Sequence, residues 1–261
     1  MKGPQTQYTD EMKKHFGYYA AWEPGIPIEI GDVGTLSGNV FTRHANLRDL
    51  EVDIETAPNR GQSTDLQYTS NGSVNISTKL SGAVPATGSS LSSLDLGISI
   101  EFGKEFATLF KADKTTSPSI RNTIKLGEDI LKLFKDGKWD KNWRIVTEVI
   151  VAESASVIIS NSTNSKVELK ANGNINAVKI DIADAAFNFS AVNTRGINTM
   201  ILAQKGMTPL FKLMGIKTRI LQEPVFATRG IKAIDLITPD SIQTIHKDLV
   251  YFGHITEEIT E

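Results

Sequence analysis

Alternating apolar and polar residues recur along much of the chain, and this period of two predicts β-strands. Residues 50–55 (LEVDIE) and 94–102 (LDLGISIEF) show the alternation clearly. Residues 145–151 carry apolar side chains at both odd and even positions, which is typical of a central strand with both faces covered. A turn at residues 152–154 is expected to bring the chain back into a further strand that ends at Ser160.

Two segments carry an Asn-Gly pair between alternating stretches, which is the sequence signal of a β-hairpin. The first pair is Asn71-Gly72 and the second is Asn172-Gly173. A three-residue loop ending at the glycine gathers the apolar side chains of each hairpin on one face and leaves Ser, Asn and Lys on the other. The predicted cross-strand pairs are Leu66–Ile76, Tyr68–Val74, Leu169–Ile175 and Val167–Ala177.

Apolar residues at three- and four-residue steps predict a few helices. One is expected from Asp10 to Trp22, a second from about Ser119 to Lys135, and a last short one from Asp240 to Leu249. Residues 207–217 (MTPLFKLMGIK) suggest a short helix or a turn. The predicted fold class is therefore α+β, with a large, mainly antiparallel twisted sheet, amphipathic hairpins and a few flanking helices.

Charge is distributed unevenly along the chain. Residues 104–144 contain ten basic and six acidic residues, whereas residues 235–261 contain one lysine and six acids. These stretches are either two solvated surfaces or a basic surface covered by an acidic tail. The predicted organisation is a β-rich α+β domain at residues 1–221, with residues 222–261 packing on it as an acidic, inhibitory C-terminal segment of the same domain.

The composition excludes several classes of function. A net charge of −2 argues against a dedicated nucleic-acid-binding protein. The absence of cysteine excludes disulfides, thiolate metal sites and a cysteine nucleophile. The N-terminus leads into no apolar leader, and no stretch reaches the ~18 to 20 apolar residues of a membrane-spanning helix. We therefore expect a soluble, cytoplasmic protein as synthesised.

No motif for catalysis or cofactor binding is present in the sequence. The four histidines lack metal-ligand spacing, and the glycine-rich residues 31–38 (GDVGTLSG) lack the G-K-[ST] of a phosphate loop. The serine-rich residues 88–97 contain no G-x-S-x-G elbow. We expect no enzyme, no cofactor and no metal site.

One likeness to a known family covers residues 60 to 205, and its sharpest part lies at residues 145–149. The helical stretch ILKLFKDGKWDKNW runs directly into RIVTEVIVAESASVIIS, and a strand of the type AAFNFSAV follows at residues 185–192. This order resembles the pore-forming N-terminal domain of gasdermins, in which a helix leads into a V-V-T-E-V-like strand, an extended hairpin segment and a short strand. Residues 145–149 match that strand, and residues 72–82 lie where the family has its first membrane-inserting region.

The resemblance implies a pore-forming effector of bacterial defence, self-inhibited until its C-terminal segment is released. Its implied partners are an activating protease, anionic membrane lipid and further copies of the chain. Hairpin positions implied to insert are Leu66, Tyr68, Val74, Ile76, Val157, Ile159, Val167, Leu169 and Ile175. Basic positions implied to face lipid are Lys125, Lys132, Lys135, Lys138, Lys141 and Arg144.

Two other functions remain open from the residues alone. A non-catalytic, β-rich interaction or assembly protein would show the same alternating strands without a catalytic motif. An enzyme with dispersed acidic residues comes last, because only 7% of the chain is aromatic and a sugar-cleaving cleft usually exposes aromatic side chains.

Overall fold

The computed structural model describes residues 3–58, 63–172, 180–184, 188–218 and 250–255. Within these residues the chain forms two α-helices, one 3₁₀ helix (Leu47–Leu50) and sixteen strands. The elements in chain order are α1 Pro4–Phe16, β1 Tyr19–Ala20, β2 Asp32–Ser37, β3 Val40–Asn46, β4 Thr56–Ala57, β5 Thr64–Thr69, β6 Val74–Lys79, β7 Gly97–Phe102, β8 Thr108–Thr115, β9 Ser119–Ile120, α2 Thr123–Lys135, β10 Trp143–Ile150, β11 Ser154–Ser160, β12 Ser165–Ala171, β13 Phe189–Arg195, β14 Ile197–Lys205, β15 Leu210–Thr218 and β16 Val250–His254.

Eight strands form a sheet that we call the base sheet, in the order β1-β15-β10-β2-β3, with β16 also on β15 and β4 reached through β9. Strand β10 is a central strand, because β15 pairs with one of its edges and β2 with the other. This confirms the prediction made from its apolar residues at both odd and even positions. Helix α2 packs Leu126 and Ile130 against Ile145 of β10. The base sheet thus holds residues 145–149 in its central strand.

The remaining eight strands are the halves of four long strands. The order β14-β11-β8-β5 forms a middle sheet, and the order β13-β12-β7-β6 forms a top sheet. Each long strand has a short break where it passes from one sheet to the other, and the four breaks lie side by side. In chain order the breaks are residues 70–73, 103–107, 161–164 and 196. Neighbours are the same in both sheets, so the first (β5–β6), second (β7–β8), third (β11–β12) and fourth (β13–β14) long strands lie side by side in chain order.

The top sheet is folded toward the middle sheet along this line. Ile98 and Lys111 lie on the second long strand and would be roughly 40 Å apart if that strand were straight, yet both line one cavity of about 530 Å³. The face inside the fold, here called the inner face, carries one shared core with Ile100 and Val167 from the top sheet and Ile158 from the middle sheet.

Helix α1 covers the opposite, outer face of the middle sheet. Tyr8 and Met12 are completely buried there against Phe110 and Val157. The helix begins at Pro4, which suits the first turn because proline needs no amide donor there, and it ends at the left-handed Gly17. It therefore starts and ends six residues earlier than the predicted Asp10–Trp22.

The predicted fold class is confirmed, because antiparallel strands dominate and the two described α-helices flank them. Helix α2 also confirms the predicted helical end at Lys135, although Ser119–Ile120 form strand β9. The predicted helix from Asp240 lies outside the described residues.

Two local predictions are wrong. Residues 207–217 were expected as a helix or turn, but Leu210–Thr218 form a buried strand between β10 and β16. Residues 50–55 form no strand, because Asn46 and Asp49 make a capping box that begins a 3₁₀ helix. A further prediction holds only in part: the strand ending at Ser160 is present as β11, but it does not pair back on β10, since β10 and β11 belong to different sheets.

Candidate functional site

The first predicted hairpin is not a hairpin in the structure. Strands β5 and β6 flank the Asn71-Gly72 turn but lie in different sheets, so they do not pair with each other. Tyr68 lies opposite Phe110, and Ile76 lies opposite Ile100. Gly72 does adopt the left-handed conformation expected of a turn glycine, with φ +63°. The turn residues mark the fold line between the sheets.

The second predicted register is wrong as well. Leu169 lies between Ile98 and Ala191, and Val167 lies between Ile100 and Thr194. Both edges of β12 are therefore occupied by other strands. The expected partners Ile175 and Ala177 lie outside the described residues.

The structure distributes the predicted inserting residues over both faces of the long strands. The outer-face group packs in the core beneath α1 and comprises Leu66, Tyr68, Val157 and Ile159. The inner-face group lies in or beside the shared core of the two sheets and comprises Val74, Val167 and Leu169, with Ile76 opposite Ile100. These apolar side chains are thus covered by the protein itself, with the exception of Ile76, which is 46% exposed.

Two connecting segments of equal length leave the same end of the top sheet. The first segment, residues 80–96, joins β6 to β7, and the second segment, residues 172–188, joins β12 to β13. Each is 17 residues long. Residues 80–96 contain turns and irregular structure, and none of them is in a strand.

The strand-like alternation nevertheless continues into both ends of the first segment. From Val74 to Val84 and from Leu94 to Phe102, the apolar residues lie mostly at even positions, including Leu80, Val84, Leu94, Leu96 and Ile98. Residues 85–92 (PATGSSLS) between these stretches do not alternate and place Leu91 at an odd position. The odd positions are mostly polar or small, with Asn75, Ser77, Lys79, Ser81, Ser93, Asp95, Ser99 and Glu101. Alternation of apolar and polar residues is typical of a strand and is not expected in a segment that forms only turns. Sequence reasoning missed this signal because it was applied only within the predicted strands.

The second segment shows the same alternation with the opposite parity. Odd positions from Val167 to Ala177 are apolar or glycine, and the even positions between them are Glu, Lys or Asn. In the top sheet the odd residues of β12 lie on the inner face, next to the even residues of β7. If both segments became strands, their apolar residues would therefore share one face of a single extended sheet.

The first segment is held on the outer face of the top sheet by charged side chains of β12. The carboxylate of Glu168 accepts a hydrogen bond from the Ser90 amide at 2.8 Å, and Lys170 forms a 2.7 Å ion pair with Asp95. Burial alone would raise the pKa of Glu168, but its hydrogen bonds, chiefly from Ser90, lower that pKa to about 2. The ion pair with Lys170 likewise lowers the pKa of Asp95 to about 2.

The described part of the second segment, residues 180–184, is held on the inner face. Ile180 and Ile182 are 5% exposed and belong to the shared core. The Ser156 hydroxyl donates to the Ile182 carbonyl at 2.7 Å and accepts from the Ala203 amide at 2.7 Å. Lys111 also pairs with Asp181. We call residues 180–184 the strap, since they cross the inner face and join the third and fourth long strands.

The predicted basic surface lies on the base sheet, apart from these segments. Lys125, Lys132 and Lys135 are exposed on α2, and Lys138 and Lys141 are exposed after it. Arg144 is half-buried and donates to the carbonyls of Lys141 and Trp143. The five lysines could meet an anionic surface, whereas the guanidinium of Arg144 is engaged within the protein.

The described part of the C-terminal segment also belongs to the base sheet. Strand β16 pairs with β15 from Met214 to Thr218, and Phe252 packs against Gly127 of α2. The Ile255 carbonyl accepts a hydrogen bond from the Tyr19 hydroxyl at 3.2 Å. This segment therefore packs on the domain, as an edge strand of its base sheet.

The described residues offer no other chemistry that would define a function. They contain no group of three or more acids and histidines placed to hold a metal ion. No helix in the described ranges is long and apolar enough to cross a membrane. Compared with known proteins, the chain matches no protein family and no curated sequence.

Proposed function

We propose that the protein is a gasdermin-like pore-forming protein, in which residues 74–102 and 165–195 rearrange into two membrane-crossing β-hairpins. The observation that carries the proposal is that the alternation of the top-sheet strands continues into both connecting segments, up to Val84 and again from Leu94 in the first and up to Ala177 in the second, although residues 80–96 form no strand. A membrane strand needs about 9 to 11 residues with apolar side chains toward lipid. Residues 74–102 and 165–195 are each long enough for two such arms and a turn.

The faces of the top sheet support the proposal. Its inner face presents Ile98, Ile100 and Leu169, and its outer face presents Glu101, Lys166 and Glu168. Extended by the two segments, the sheet would have one lipid-compatible face and one polar face. A single copy would leave unpaired backbone groups at both edges, so lipid insertion requires many copies closing a ring.

The open edges of the four long strands allow such an assembly. Among the described strands, β5 and β6 pair only with the second long strand, and β13 and β14 pair only with the third. The long strands alternate in direction, so the first strand of one copy could join the fourth strand of the next in antiparallel fashion.

In this proposal the resting protein is held by its own contacts until it is activated. The hydrogen bond from the Ser90 amide to Glu168, here called the Glu168 clasp, holds the first segment on the outer face of the folded sheet. The strap lies on the inner face, where it is bound by Ser156. Release of the C-terminal segment is the proposed activating event, and the lysines on and after α2 are the proposed first contact with anionic lipid.

Dye release from liposomes tests the function. The full chain and a chain cut once within residues 222–249 are added to vesicles with and without phosphatidylserine. We expect release by the cut chain on anionic vesicles, which would also place the inhibitor in the C-terminal segment. Absence of release and of vesicle binding in both forms would overturn the proposal and favour the interaction or assembly protein.

A further inference from the structure

The lower end of the middle sheet, away from the top sheet, carries opposite charges at its two open edges. Asp65 of β5 lies opposite a bulge at Asp113 and Lys114 of β8, between the pairs Thr64–Thr115 and Leu66–Ala112. Asp113 lies opposite Ser154 of β11, and Ser154 lies opposite Lys205 of β14. One transverse row therefore crosses all four long strands, with an acid at one edge and a base at the other.

The acidic end of this row is a like-charge pair. Asp65 lies opposite the bulge that contains Asp113, and burial together with this neighbouring carboxylate raises the pKa of Asp113. The lysines beside them are shared with other acids, since Lys111 also pairs with Asp181 and Lys114 also pairs with Glu153 at 3.1 Å. A further cation at this edge would relieve the repulsion.

The basic end of the row is an exposed lysine at the end of the fourth long strand. Lys205 makes no ion pair with any residue that the structure describes, and its backbone faces no further strand there. A second row, in the top sheet, has the same polarity. Arg195 lies at its open edge, followed by Lys166, Glu101 and then Asn75 at the other edge.

We propose that Lys205 of one copy pairs with Asp65 and Asp113 of the next, and that this ion pair sets the register in which the edge strands join. The inference rests on the proposed function and adds the register and the residues that select it. If the fourth long strand of one copy joins the first long strand of the next in this register, each row continues into the next copy. Lys205 then lies opposite Asp65, and Arg195 lies opposite Asn75. Glu101 is on the strand next to Asn75. A shift of two residues would separate the charges along the strand by about 7 Å.

Disulfide trapping tests the register directly, because the chain has no cysteine of its own. In the D65C/K205C variant the two cysteines of one copy are three strand spacings apart, about 14 Å, which is beyond the ~7 Å that a disulfide spans. Any disulfide must therefore join two copies. In this test and the next, each variant is cut once within residues 222–249, because the uncut chain is proposed to be inhibited. On phosphatidylserine vesicles under mild oxidation, we expect a ladder of covalent multimers. The matched control is D65C/Q204C, since Gln204 is adjacent but lies opposite Ala155 and projects from the other face.

Charge exchange tests the ion pair independently of cysteine chemistry. We expect K205E and D65K each to reduce dye release at least tenfold, because each places like charges together. The exchanged variant K205E/D65K should recover at least half of the wild-type release. The control Q204E adds the same charge as K205E on the opposite face and should keep wild-type release. Near-ultraviolet circular dichroism checks that each variant is folded.

The outcomes separate this inference from the proposed function. If the wild type releases dye but gives the same multimers in both cysteine variants, and K205E is fully active, the register assignment is overturned while the pore stands. If the wild type neither binds vesicles nor releases dye in the full or cut form, both proposals fall. A ladder confined to D65C/K205C, with rescue by the exchanged variant, supports the inference.

Discussion

Ser156 is the residue on which the strap depends most. Its hydroxyl joins Ile182 of the strap to Ala203 of β14, and both bonds are 2.7 Å long. An alanine there would leave a buried carbonyl and a buried amide without partners, at a cost of about 1 to 3 kcal/mol. We therefore expect S156A to unfold at lower denaturant concentration and to exchange amide hydrogens faster at residues 180–184.

The control for this prediction is two residues away on the same face. The hydroxyl of Ser154 is buried and has no hydrogen-bond partner among the described residues. S154A should therefore change the free energy of unfolding much less than S156A. Equal losses in the two variants, measured by urea denaturation, would contradict the role assigned to Ser156.

Glu168 gives the clasp on the first segment a defined pH dependence. Its pKa is about 2 in the folded protein, below the ~4.3 of an unperturbed glutamate. The unfolded state therefore binds the proton more readily, so the stabilisation is complete above about pH 5 and is lost as the pH falls toward 2. In E168Q the melting temperature should be lower at pH 7 and should fall less between pH 5 and pH 2. A wild-type pH profile in E168Q would contradict this.

At the scale of elements, the strands were more predictable than their partners. The alternation of residues 94–102 and the two apolar faces of residues 145–151 predicted β7 and β10 within a few residues. The Asn71-Gly72 signal marked a real turn. Strand β5 pairs with β8 and strand β6 pairs with β7 instead. The shared inner core stabilises these non-local pairings, and a local hairpin would have no such core.

The exposed apolar residues of the first segment carry a prediction for membrane insertion. Val84 is 90% exposed and Leu94 is 75% exposed, and both lie at lipid-facing positions of the proposed hairpin. V84D and L94D should leave thermal stability nearly unchanged, because neither residue packs in the resting fold. Each should reduce dye release strongly, since a buried carboxylate in lipid is costly.

Ile26 provides the matched control for these two substitutions. It is 51% exposed between β1 and β2, outside both connecting segments and outside the lysine-bearing helix α2. I26D should therefore retain dye release. Equal loss of release in I26D and L94D would show that exposed apolar residues act by general adhesion and not by insertion.

For the whole molecule, the sequence predicted the fold class but not the folded sheet. That architecture depends on pairings between residues far apart, such as Arg144 with Gly215 and Thr64 with Thr115. No short-range pattern encodes these partners. The clasp by Glu168 and the strap over Ser156 are equally non-local, so the residues that restrain the segments could be found only in the structure.

The central claim is that both ends of residues 80–96 become strand in a membrane, with a turn between them. Single cysteines placed at each of these positions, labelled with an environment-sensitive fluorophore, report on it in an otherwise cysteine-free chain. On anionic vesicles, the account predicts increased emission at even positions such as Leu80 and Val84, and little change at odd positions such as Ser81 and Ser93. Emission that is unchanged at every position while dye is released, or that follows a period of 3.6 residues, would contradict it.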